Sequence, residues 1–439
     1  MRVLIIGKYP PLQGGVSAQT FWTARALAHR GYDVDVVTNA TEAPQGLRAF
    51  LDGDAEQWCS GSVGHGHVRV HLTEALARNS YLPWSNPFAS KLFGRALEVI
   101  GPDGCDGILG WYFEPFGLVA AMAGMATGSA VVLRHAGSDL GRLARHSDLR
   151  VSYSWMLGQA RAVLTGSRSG GEARTRLEEL APAGTRFVPV ARSRLPQVFS
   201  PTAPPLEVSG LLERAADWFD ASPLPKPLIA RINRANRKRI DSAAPTVGVY
   251  GKVGAVKGTY DLLAALDSLA RRDIAFNFLP IACGPAARLT EFYESVLGLE
   301  LVASRTLLLP PLAPWVVPRF LTRCDLVCAL EREFPIKFHT PVVPREVLAS
   351  GTCLVVSREL AEKQPVRDSL VDLKNCVIID DPRDCANLAE RLELLLTDPG
   401  RARVIGKHGL YLSQAFEDEL ELEDATANLV DSFVRHWAE

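Results

Sequence analysis

Val3-Leu4-Ile5-Ile6 is an apolar run without alternation, followed by a Gly/Pro loop over residues 7–15, a helical pattern over 17–29, a stop at Gly31 and a second apolar run over 34–38. Strands that are apolar on both sides, joined by a helix, predict a parallel sheet covered on both faces. The rhythm returns with a strand over 107–109, a helix after Phe116, a strand over 130–133 and a strand over 161–165 that leads through Ser167 into a helix ending at Leu180. It lapses after Phe199-Ser200-Pro201 and resumes at Thr246-Val247-Gly248-Val249-Tyr250. Further strands are expected over 276–282, 306–309, 326–330, 353–356 and 376–379, with helices over 387–396 and 401–439.

The fold class expected is therefore α/β, with two Rossmann-like doubly wound domains facing a central cleft. Residues 1–201 form the first domain and 245–420 the second. A charged stretch over 202–244 joins them, and a helix over 421–439 is expected to pack back on the first. In such sheets ligands bind at the carboxyl ends of the strands.

Composition narrows the picture. With 439 residues, 47% hydrophobic and 22% charged, the chain is neither disordered nor fibrous. A formal net charge of −1 provides no global field for nucleic acid or an anionic membrane, so a charged ligand has to be held by a local site. Residues 115–133 carry no charge, yet Gly117, Gly124, Gly128 and Ser129 interrupt them. A buried helix followed by a strand accounts for them better than a membrane span. Only four apolar residues precede Gly7 and Lys8, which reads as a first strand rather than a secretory signal. Eight scattered cysteines suggest reduced thiols in a cytoplasmic protein, and Cys324 and Cys328 lack a second pair at zinc spacing, so no metal is assigned. The basic segment 226–240, with Lys226, Arg231, Arg234, Arg237, Lys238 and Arg239, has no interleaved aromatic residue. It reads as a solvated insertion rather than a nucleic-acid site.

Candidate chemistry lies in the loops. Gly14-Gly15 precedes the first helix, where bare N–H groups can meet a phosphate or a sugar. The second domain opens with a strand, then Gly251-Lys252-Val253-Gly254-Ala255-Val256-Lys257-Gly258, then a helix. Two cations at a helix start suit a diphosphate. The order Lys-Gly-Thr at 257–259 is not the Gly-Lys-Ser/Thr of a P-loop. Glu346 stands near the start of a helix, where a carboxylate favours the dipole in any protein and can also accept both hydroxyls of a ribose. His135 ends a strand and begins the polar loop His135-Ala136-Gly137-Ser138-Asp139. His67, Arg69 and His71 alternate along a strand and read as a solvated face rather than a metal site.

Together these motifs resemble the GT-B glycosyltransferases of family 4. The resemblance rests on Tyr9-Pro10-Pro11-Leu12-Gln13-Gly14-Gly15-Val16, the His135 loop, residues 162–167, Phe199-Ser200-Pro201, the segment from Gly251-Lys252 to Lys257-Gly258, Cys283-Gly284-Pro285, Asp325-Leu326-Val327 and Asp398-Pro399. It implies a retaining, metal-independent transfer of a sugar from a nucleotide diphosphate sugar, which is substrate rather than cofactor, to an unidentified acceptor bound by the first domain. A lipid acceptor would imply peripheral membrane contact. Lys252 and Lys257, with Gly251 and Gly258, would hold the diphosphate, and Glu346 would hold the ribose. Glu333, or less favourably Glu331, would hold the sugar with Thr340. His135 would line the reaction centre, and Gly14-Gly15 would approach the donor phosphate or the acceptor. The family pairs two glutamates eight positions apart, but Phe338 stands eight residues before Glu346. That departure motivates an alternative: a protein of the same fold that binds a nucleotide or sugar phosphate as a partner or regulatory subunit.

Overall fold

The structure is a computed structural model that describes residues 1–74, 87–166, 171–191, 194–221, 226–236, 243–336, 339–418 and 424–435. The chain forms two compact units. The first comprises Met1–Ala43, Gly53–Arg194 and Leu420–Glu439; the second comprises Pro44–Asp52 and Leu195–Glu419.

In the first unit the strands are β1 (Arg2–Gly7), β2 (Asp33–Thr38), β3 (Gly61–Val63), β4 (Gly66–Leu72), β5 (Gly107–Trp111), β6 (Val131–Arg134), β7 (Ala162–Gly166) and β8 (Phe187–Val190). They lie in the order β3-β4-β2-β1-β5-β6-β7-β8. All neighbours are parallel except the β3–β4 pair. Val3, Leu4, Ile5 and Ile6 are buried, as a strand covered on both faces requires. Helix Gly15–His29 buries Phe21, Ala24, Leu27 and Ala28 at helical spacing. The charge-free stretch folds as helix Leu118–Thr127 and β6. A Cβ on Gly124 would come 2.1 Å from Val131 Cγ2, so the small residues there let helix and strand approach closely. Among the described residues no helix is long and apolar enough to cross a membrane.

One expectation changes here. The strand bearing His67, Arg69 and His71 is only partly a solvated face. β4 lies inside β3, and it turns Arg69 and His71 onto Asp35 of β2, whose side chain is only 2% exposed. Asp35 accepts from His71 Nε2 at 2.8 Å, Arg69 Nε at 3.0 Å and Arg2 Nε at 2.8 Å. Burial pushes its carboxyl up, but these donors outweigh burial and hold it well below the usual range. Alternation showed which side chains share a face but not what covers that face. The last helix, Ala425–Arg435, belongs to the first unit, where Thr23 donates to Asp424 at 3.1 Å and Tyr32 donates to Asp431.

The second unit is a parallel sheet in the order β10-β9-β11-β12-β13. Its strands are β9 (Thr246–Lys252), β10 (Asn277–Cys283), β11 (Leu326–Ala329), β12 (Cys353–Ser357) and β13 (Val377–Ile379). Residues 306–309 do not form the expected strand. They make only isolated bridges, Phe278 to Thr306 and Ile281 to Leu309, because Pro280 of β10 has no N–H to complete the ladder.

The stretch 202–244 is part of this unit rather than a solvated insertion. Helices Val208–Arg214 and Lys226–Asn236 send Leu211, Leu212, Ile229 and Ile232 into its core. The Asn233 amide donates to Leu308 O at 2.9 Å and accepts from Leu308 N at 2.8 Å, while Asn236 donates to Thr306 O at 2.7 Å. These amides satisfy backbone groups of Thr306 and Leu308 on the edge turned away from β10, since residues 305, 307 and 309 are the ones that bond to that strand. Arg231 and Arg234 are exposed, and Arg237, Lys238 and Arg239 lie outside the described residues.

Asp35→Ala leaves Arg2, Arg69 and His71 without their shared acceptor and is expected to destabilise the first unit by about 3 kcal/mol at pH 7. A depressed carboxyl stabilises the fold above its unfolded pKa of about 3.9 and stops doing so as pH falls through its folded value. The difference between variant and wild type in urea titrations should therefore shrink as pH falls below about 4.

Candidate functional site

β9 delivers the first cation-bearing loop. After Lys252 the chain makes a tight turn over Ala255–Lys257, with Gly254 and Gly258 at φ 147° and 68°, and enters helix Thr259–Arg271. Only glycine fits at 258, since a Cβ there would lie 2.3 Å from the Leu330 carbonyl oxygen in addition to the left-handed backbone. That close approach, with Arg332 N donating to Val256 O at 3.0 Å, packs the lysine loop against the segment that follows β11.

Glu331, two residues past β11, is the acid that meets the loop. Its side chain is 3% exposed, and its Oε2 pairs with Lys257 Nζ. Lys363 Nζ lies 3.3 Å from Oε1, and His339 Nε2 lies 3.8 Å from Oε2. Ser357 Oγ at the end of β12 donates to the Glu331 carbonyl. The Phe334 ring stacks on His339 with centroids 4.6 Å apart, and Lys257 Nζ stands 4.2 Å from its centroid. Burial is the main cause that pushes His339 down to about 4; Glu331 opposes the shift and the lysines add to it, so the imidazole is neutral at pH 7.

Glu333, the acid favoured by the sequence, lies elsewhere. Its side chain is 64% exposed and pairs with Arg383 at 3.0 Å, and its backbone takes φ 50°. Its N–H and that of Phe334 donate to the Glu359 carboxylate. Thr340 is exposed beside His339, and Phe338 lies outside the described residues. Lys252 is exposed at the end of β9, and Gly251 there has φ 123°.

Glu346, in helix Val343–Ala349, is buried and accepts a hydrogen bond from the Tyr250 hydroxyl of β9. Burial pushes its carboxyl up to about 7, against the lowering effects of Tyr250 and Arg345. Lys252, Lys257, Glu331 and, through Tyr250, Glu346 thus all gather around the carboxyl ends of β9 and β11. This is the end of an open parallel sheet at which ligands bind.

In the first unit the predicted residues also lie at strand ends. Gly14, at φ 127°, caps helix Gly15–His29, and a Cβ on Gly14 or Gly15 would meet no atom within 4 Å. His135 follows β6; its ring meets Phe113 edge-on with centroids 6.4 Å apart, and its buried Nδ1 has no hydrogen-bond partner among the described residues. Burial and the neighbouring Arg134 charge push it down to about 4. Asp139 in the same loop accepts from Ala136 N at 2.8 Å, Phe113 N at 3.2 Å and Leu140 N at 3.0 Å. Burial nevertheless raises it to about 7.

Several groups here escaped the sequence reading. Tyr112, in the left-handed region at φ 80°, shares a 2.8 Å hydrogen bond with Ser138 and lies under Lys8 Nζ, 3.6 Å from its ring centroid. Burial raises the half-buried carboxyl of Glu114. The signal was available in the position of both residues, just past a strand that runs two residues beyond its expected end. For Lys363 and Tyr250 no local motif exists, because each acts on a carboxylate far away in the chain.

No protein-family model matches the chain, and comparison with curated proteins finds no match either. Solved structures do match. Sucrose-phosphate synthase from Thermosynechococcus elongatus is 16% identical, with 99% of this chain and 98% of that chain covered and a TM-score of 0.61. WaaG, a glycosyltransferase involved in lipopolysaccharide biosynthesis, is 12% identical, with 99% of both chains covered and a TM-score of 0.61. HepE from Anabaena, in complex with UDP-glucose, is 16% identical, with 100% of this chain and 98% of that chain covered and a TM-score of 0.57. The two α/β units and these likenesses establish the GT-B fold.

The carboxyl of Glu346 makes stability pH-dependent. Unfolded glutamate titrates near 4.3, and the folded value of about 7 is higher. The stability it contributes is thus fully present below about pH 4 and is lost as pH rises through 7, on the order of 3 kcal/mol in all. Urea titrations of Glu346→Gln should show a smaller fall in midpoint between pH 5 and pH 8 than wild type does.

Proposed function

We propose that the protein is a retaining, metal-independent glycosyltransferase of the family 4 kind, moving a hexose or related sugar from a nucleotide diphosphate sugar to an acceptor. The observation that carries this reading is Lys257, fixed by the Gly258 turn at the carboxyl end of β9 beside a buried carboxylate and an aromatic ring. HepE binding UDP-glucose in the same fold supports a nucleotide sugar as the donor here.

Lys257, with Lys252, neutralises the charge that grows on the departing diphosphate, the task a divalent cation performs in other transferases. The N–H groups of Val253, Gly254, Lys257 and Gly258 are already engaged within the protein, so the lysine side chains carry the phosphate contacts of this loop. Glu346 accepts the ribose hydroxyls, and Tyr250 holds its carboxylate in place from β9. Glu331 takes the sugar-side place in preference to Glu333, because it alone of the two adjoins Lys257; Thr340 borders the same place. In the first unit, neutral His135 offers a ring nitrogen without a charge, and Gly14-Gly15 offers exposed backbone to the acceptor side.

Melting curves against UDP-, GDP-, ADP- and dTDP-sugars identify the donor, since a ligand bound only by the native state raises the midpoint. With that donor, Lys257→Ala is expected to lower turnover by about two to three orders of magnitude at temperatures where its melting curve shows the variant still folded. Unchanged turnover overturns the assignment. The anomeric proton coupling of the product, read by NMR, tests retention.

A further inference from the structure

The ammonium of Lys257 already has an anionic partner. It pairs with Oε2 of Glu331, a carboxylate whose side chain is 3% exposed. A carboxylate so far from water keeps its charge only while a cation stays beside it. A diphosphate at Lys257 therefore competes with Glu331 for the same ammonium and sets a second anion beside the buried one. His339, neutral and 3.8 Å from Oε2, supplies no compensating charge.

Lys363 does. It follows helix Arg358–Glu362, its side chain is 13% exposed, and its Nζ lies 3.3 Å from Glu331 Oε1 and 2.6 Å from Glu359 Oε1. The ring of Phe334 receives both cations, with centroid distances of 4.2 Å to Lys257 Nζ and 5.5 Å to Lys363 Nζ. Lys257 is the more accessible of the two, at 24%. Glu359 is fixed in turn by the backbone N–H groups of Glu333 and Phe334, so the position of Lys363 is set from a direction independent of Lys257.

We propose that Lys363 is a positioning residue of the diphosphate subsite: it keeps Glu331 neutralised when Lys257 turns to the phosphates. This rests on the assignment of Lys257 as a diphosphate cation, and the two claims separate experimentally. The probe is inorganic pyrophosphate in metal-free buffer, titrated calorimetrically into the full chain. Lys363→Met is expected to weaken binding about tenfold, because Glu331 then holds Lys257 alone. Lys363→Arg, which keeps the charge, should stay within about threefold of wild type. The double variant Glu331→Gln with Lys363→Met should also return to within about threefold, since the competing carboxylate is gone. A merely structural role for Lys363 predicts no such rescue.

If Lys363→Met binds as wild type does while Lys257→Ala binds weakly, the inference fails alone. If Lys257→Ala binds as wild type does, the assignment of Lys257 fails. Should the single Lys363 variant melt early, the double variant still decides, because it leaves Glu331 with no charge to neutralise; weak binding there overturns the inference.

Discussion

Glu331 sets the terms for the second unit: a buried charge has to be matched, and the surrounding chain is arranged to match it. Gly258 brings the lysine loop within reach, Ser357 fixes the carbonyl, and Lys363 closes the other side. The positive φ of Glu333 and the two N–H groups donated to Glu359 follow from the same turn.

The framework was legible because burial on both faces leaves a continuous apolar trace, and β1, β2, β9 and β12 fall where that trace stands. Lys257 and Glu346 were legible for a different reason, since each belongs to a short motif whose meaning is local. The choice between Glu331 and Glu333 was not. Two acids in one loop have no periodicity to separate them, and the lysine loop that meets only one of them comes from far away in the chain. Composition misled over 226–240, where the arginines hid Asn233 and Asn236, the residues that dock the helix. It was incomplete on β4, whose half-exposed polar face also pairs with the buried Asp35.

The first unit handles polarity differently. At the ends of β5 and β6, Asp139 and Glu114 form no ion pair among the described residues. Asp139 is served by three backbone N–H groups and Glu114 by none that offset its burial, so both carboxyls shift upward, while His135 shifts downward. At this end of the first sheet burial shifts these groups away from their charged forms, whereas beside β11 of the second the buried Glu331 carboxylate is met by Lys257 and Lys363.

The return of helix Ala425–Arg435 to the first unit has a bearing on biogenesis. Synthesis runs from the amino terminus, so β1 to β8 are made early, yet the helix that buries Ala427, Val430 and Val434 in that unit emerges only after the whole of the second. The unit begun first is thus the one finished last. Until then an apolar strip on the nascent chain awaits its cover, and a ribosome that stalls within the second unit leaves that strip bare.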